Sequence, residues 1–253
     1  RRGTISLGSP EALPVAEGLW VKGKLGILDA DIWQRVLGEG STDAPPLLAG
    51  VDLQIGILDL NRRRFHDLRV EASRVESEWR ATLAGREVAG LLSWASAGGG
   101  KLIARFSKFV LPPVMTQVGT GTPGHSDAIL PSVDLIVENF TYEGKELGRL
   151  TVQAQPEFSG WELRRLELIN PESKFVMQGE WALGAESHTD VSVRLDVSDL
   201  GKFFARLGWP NAVKGGSATL EGPIQWRGNP ARFDIPSLSG RLKLEAKDGR
   251  FQE

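Results

Sequence analysis

A hydropathy period of two dominates this chain and confines it to strands that bury one face and wet the other. In Val191-Ser192-Val193-Arg194-Leu195-Asp196-Val197, four aliphatics fall on one face and Ser, Arg and Asp on the other. The same alternation runs through Val51–Ile55, Val133–Glu138, Leu150–Ala154, Phe175–Trp181 and Arg241–Ala246. It predicts antiparallel pairing, because parallel strands covered on both faces read as continuous apolar runs. Trp161 to Ile169 changes phase midway, with Trp161 and Leu163 followed by Leu166 and Leu168, which predicts a β-bulge. The chain is 41% hydrophobic and 25% charged over 253 residues, enough to bury a core and unlike a disordered polymer.

Two segments break the alternation. Residues 29–38 and 199–207 each open on an Asp suited to an N-cap, space their apolar residues three and four apart, and run into a Gly. Both read as short amphipathic helices. Their landmarks repeat at one offset, since Leu25 and Asp29 recur as Leu195 and Asp199, displaced by 170. A shorter repeat lies between them. Val51-Asp52-Leu53 recurs as Val133-Asp134-Leu135, Leu68–Ala72 as Leu150–Ala154, and Trp79 as Trp161, all displaced by 82. Growth by repetition of meandering strands is solenoid-like. The stretch 111–131 contains Pro112-Pro113 and Gly119–Gly124, a density of Gly and Pro that cannot continue a strand ladder. The expected organisation is a first strand group over 1–110, a Gly/Pro-rich loop over 111–131 and a second strand group over 132–253. Strand-like patterns at both ends make the chain read as a piece of a longer repeat protein.

Several classes of function are excluded or disfavoured by what the residues lack. Lys and Arg total 30 against 32 for Asp and Glu, so there is no cationic footprint for nucleic acid. Cysteine is absent, which removes thiolate nucleophiles and thiolate metal sites and suits an oxidising compartment. No apolar run reaches the roughly 20 residues that span a bilayer. The three histidines, His66, His125 and His188, stand apart, with no second His or carboxylate at metal-ligand spacing, and are expected at the surface. The Gly-rich stretches lack the strand, Lys and Ser or Thr of a phosphate-binding loop, and no Ser sits in a Gly-x-Ser-x-Gly setting. The reading is a protein that is not an enzyme and needs no cofactor or metal. Trp79, Trp94, Trp161 and Trp181 fall in or beside strands and extend the apolar face.

Tyr142–Leu150, Gly179-Glu180-Trp181, Asp199-Leu200-Gly201 through Leu207-Gly208, and Gly215-Gly216 to Leu220-Glu221-Gly222 resemble the AsmA-like proteins of the Gram-negative envelope, and among them the large YhdP type. The resemblance extends over roughly residues 130 to 253 and is fainter before that. It implies a long periplasmic protein anchored in the inner membrane, whose strands curl into an elongated U-shaped, taco-like trough conducting phospholipid between inner and outer membranes. It also implies that the membrane-docking parts lie outside this chain.

On that implication the apolar phase lines a groove for acyl chains, with Leu135, Val137, Val152, Leu163, Phe175, Met177, Val191, Val193, Leu195, Leu242 and Leu244 as the lining. The alternative is that the same faces close on each other as a sandwich-like scaffold, or on another subunit. A glycan-binding β protein would need aromatics clustered with carboxylates in one loop region, and none is visible. A charge at Val193 should separate groove from core: it would block an open groove and unfold a closed core.

Overall fold

The computed structural model describes residues 2–8, 17–30, 48–115, 130–157, 160–184, 187–228, 230 and 234–251. The chain divides into two compact units, Arg1–Gly124 and His125–Glu253. Residues 31–38 of the helix expected over 29–38, and most of the loop expected over 111–131, lie outside the described residues.

The first unit holds strands β1 (Arg2–Leu7), β2 (Gly18–Asp29), β3 (Leu48–Leu60), β4 (Arg63–Val75), β5 (Glu78–Ala84), β6 (Val88–Ala95) and β7 (Lys101–Leu111), each beside the next in chain order. From β3 onward every neighbour is antiparallel, as the alternation predicts. The β1–β2 and β2–β3 pairs are parallel instead. Alternation marks a half-buried strand but carries no information about its neighbour's direction. The chain between β2 and β3 is long enough for the crossover that a parallel pair needs.

The second unit holds β8 (Ser132–Tyr142), β9 (Lys145–Glu157), β10 (Gly160–Asn170), β11 (Ser173–Ala182), β12 (His188–Val197), helix α1 (Leu200–Arg206), β13 (Val213–Lys214), β14 (Ser217–Arg227), β15 (Ser239–Gly240), β16 (Lys243–Lys247) and β17 (Arg250–Phe251). The order is β8-β9-β10-β11-β12-β14, with β15 and β16 both paired to the outer edge of β14 and β13–β17 forming a separate ribbon. Every pair within this unit is antiparallel.

The 82-residue repeat is a repeat of register. Strands β4 and β9 span 63–75 and 145–157, displaced by 82 at both ends. Val51 faces Ala72 as Val133 faces Ala154, and Arg74 faces Trp79 as Pro156 faces Trp161. Both β-hairpins turn on two residues with positive φ, Asn61 and Arg62 in one and Glu143 and Gly144 in the other. That is the backbone whose twist matches the flanking strands. The phase change in β10 is a bulge: Leu163 faces Ala154, and the ladder resumes with Arg165 facing Gln153 and Leu166 facing Val152.

Helix α1 forms where caps predict it. The Asp199 side chain accepts from the Lys202 N–H at 3.0 Å, satisfying one orphan donor of the first turn. The helix is tied to the turn between β10 and β11 by Arg206, which donates to the Glu172 carboxylate through Nε and Nη2 and to the Glu146 carbonyl through Nη1. The Glu172 side chain is only 3% exposed. Hydrogen bonds from Arg206 hold its carboxyl below the usual carboxylate range against the opposing effect of burial.

Two stability predictions follow from these contacts. Arg206→Met leaves the buried Glu172 carboxylate without its partner and should cost about 3 kcal/mol by urea denaturation at pH 7. Because the folded pKa of Glu172 is depressed, the pair stabilises above the unfolded value of about 4.3. That contribution is lost as pH falls through the folded pKa, so the gap between wild type and variant should narrow on acidification. Gly148 has φ +91, and a Cβ there would lie 2.2 Å from the Ile169 carbonyl oxygen. Gly148→Ala should therefore lower stability by about 2 kcal/mol or more in the same measurement.

Candidate functional site

Register gathers the apolar phase of the second unit into four rows that cross the strands. The first runs Val137–Leu150–Leu168–Phe175–Leu195–Leu220–Leu244, and the second Leu135–Val152–Leu166–Met177–Val193–Gly222. The third is Val133–Ala154–Leu163–Gly179–Val191–Ile224–Gly240. The fourth, Pro156–Trp161–Trp181–Thr189–Trp226, is largely aromatic. Residues facing each other across a ladder share a face and have Cβ atoms about 5 Å apart, so each row is continuous. Measured along the sheet, the rows span about 20 Å in the strand direction and about 29 Å from β8 to β16. The first unit repeats the device with Val21–Val51–Ala72–Ala81–Leu92–Ala104 and Gly23–Leu53–Val70–Leu83–Gly90–Phe106, and with Trp79 facing Trp94.

The aromatic row is bound into the protein. Trp161 Nε1 donates to the Pro131 carbonyl at 3.0 Å and Trp181 Nε1 to Ser187 Oγ at 2.7 Å. Thr189, fully buried, donates from Oγ1 to the Gly228 carbonyl at 2.8 Å. Trp161, Trp181 and Trp226 are all buried. Trp226 and Thr189 belong to this row only through register; nothing in their local sequence links them to Trp161.

Coverage divides the predicted lining residues. Val137 is 0% exposed, Leu163 and Val191 4%, and Val193 8%, so these four are packed beneath their neighbours and form a floor. Leu135, Val152, Phe175, Met177 and Leu195 are half-buried and present apolar surface. Leu242 and Leu244 are 48% and 66% exposed at the outer edge of the face. Leu163 also sits one row away from Leu135 and Val152, because the bulge hands its place to Leu166. A carboxylate at Val193 would be buried whether the face is open or closed. The half-buried positions are the ones that separate the two cases.

The opposite face is polar. Ile136, Thr151, Glu167, Val176, Arg194, Glu221 and Lys243 form one of its rows. Arg194 donates to Asp196 at 2.8 Å and to Glu221 at 2.7 Å, exposed pairs of the kind that contribute little to stability. Glu167 is buried there. Burial raises its carboxyl, but hydrogen bonds from Arg165 and Lys174 outweigh that and leave it below the usual range. An open cleft of about 1090 Å³ is lined by charged residues such as Glu162, Glu180 and Arg241 together with Leu163, Val191 and Ile224 of the third row, so its walls are mixed.

Two histidines have partners that spacing did not predict. His66 Nδ1 lies 2.9 Å from Glu87 Oε1, 21 residues away, and His188 Nε2 lies 3.1 Å from Asp190. His125 lies outside the described residues. Among the described residues no group of three or more His, Cys, Asp or Glu side chains could hold a metal ion, and no helix is long and apolar enough to cross a membrane.

Fold and face define a class: a repeated, mostly antiparallel β protein whose second unit has one apolar side and one largely polar side. A family model described as YhdP protein matches residues 1–253, and the chain belongs to that family. The AsmA-like, YhdP-type resemblance is thus borne out over the whole chain, including the part where it is faint to the eye. No curated protein and no solved structure matches it.

Trp181 anchors the buried cluster of Ala154, Trp161 and Leu163. Trp181→Ala should cost about 3 to 5 kcal/mol by chemical denaturation, a large loss because the tethered neighbours cannot collapse into the cavity.

Proposed function

We propose that the apolar face of the second unit carries the acyl chains of phospholipid, as one segment of a periplasmic conduit between inner and outer membrane. The observation that carries this reading is the second row. From β8 to β11 it offers Leu135, Val152, Leu166 and Met177 in unbroken register, each half-buried and open to an apolar guest. Around it on the same face stand buried aliphatics and tethered tryptophans, and the other side of the strands is largely polar. On this reading the chain is not an enzyme. Its partners are the lipid and, through parts of the protein outside this chain, the two membranes, with an anchor in the inner one.

Physical cost supports the arrangement. Moving an acyl chain into water costs about 0.8 kcal/mol per methylene, on the order of 20 kcal/mol for the roughly 30 methylenes of a two-chain lipid. Sliding along a continuous apolar row avoids that step. The head group stays at the polar margin, and no side chain needs an unusual protonation state.

The burial of Val137, Leu163, Val191 and Val193 favours a second reading, in which the face is a packed core and the protein a scaffold of the envelope. Native mass spectrometry and lipid extraction of the chain purified from bacterial cells, beside Leu135→Asp and Leu195→Asp, distinguish the two. The conduit requires phospholipid on the wild type and its loss from variants that keep their β circular dichroism. A folded, lipid-free wild type whose variants unfold would leave the scaffold.

A further inference from the structure

Resting on the acyl-carrying reading, we infer that Met177 is the adaptable contact through which an acyl chain passes from one half of the apolar face to the other. Two buried clusters make up the face on either side of it. One is Ala154, Trp161, Leu163 and Trp181; the other is Val191, Val193 and Trp226. Of the partly buried side chains described around them, Met177 packs against both. The rest of the junction is stiff. Val191 and Val193 are β-branched and restricted at χ1, and Trp161 and Trp181 are held by hydrogen bonds to Pro131 and Ser187. Met177 alone of these is unbranched, with a polarizable thioether and three rotatable side-chain bonds.

A chain lying along Leu135, Val152 and Leu166 meets Met177 next, and its unbranched side chain can change rotamer to let the chain through. Met177 is thus a positioning residue in the track, while Val191 and Val193 are its floor.

The sequence contains two methionines, Met115 and Met177, which makes the test direct. In a Met115→Leu background, a diazirine analogue of methionine places a photoreactive group at position 177 alone. Irradiation of the protein as purified from bacterial cells should give an adduct of phospholipid mass at that position. In Met115→Leu/Val176→Met/Met177→Leu the reactive group moves one residue, to the polar face, and should give none. Exchange of bound lipid with vesicles of phosphatidylethanolamine and phosphatidylglycerol should slow only about twofold in Met177→Leu, whose Cβ is unbranched. It should be about tenfold slower in Met177→Ile, whose branched side chain cannot yield, at an unchanged melting temperature. If lipid co-extracts but no adduct forms at 177, or Met177→Ile exchanges at the wild-type rate, the role of Met177 is overturned and lipid carriage stands. If no lipid co-extracts, carriage falls, and the role of Met177 with it.

Discussion

The antiparallel ladder and its register are what the rest of this molecule depends on. Each side chain of the second unit's apolar face belongs to a row only because its strand meets the next at one offset. A slip of one residue would turn a whole strand's aliphatics to water. The bulge in β10 shows how closely this is held: the strand takes up an extra residue between Leu163 and Leu166, and the rows continue on both sides of it. The 82-residue repeat carries the same pairing into both units, down to the positive-φ residues at the hairpin turns.

From that register follows a division of labour within one face. Side chains with no exposed surface, such as Val137, hold the sheet; half-buried ones such as Leu135 and Met177 offer surface to a guest. The Trp161–Trp181–Thr189–Trp226 row closes one margin, with Trp161, Trp181 and Thr189 hydrogen-bonded within the protein. At the other end of the strands the buried Arg206–Glu172 pair fixes α1. Charge is kept on the opposite face, where mixed-sign pairs such as Arg194 with Asp196 and Glu221 keep it solvated.

Much of this was legible one strand at a time. Period two located the strands, the caps located α1, the phase change at Trp161–Ile169 located the bulge, and the 82-residue offset located the common register. Pairings between distant positions were not legible. Glu87 with His66, Glu172 with Arg206, and Trp226 with Thr189 meet through folding alone, with no local pattern to announce them. The parallel β1–β2–β3 pairs were missed for a related reason, since alternation is the same whichever way the neighbour runs.

The sequence by itself determined which residues share a face, because that phase is a property of each extended strand, whose side chains alternate every residue. Only the tertiary structure decided which of those residues are covered and which remain open. Val137 and Leu135 stand on the same strand in the same phase, yet one is sealed and the other half-exposed. Coverage comes from side chains that other strands bring alongside, and no one strand's alternation encodes what those will be.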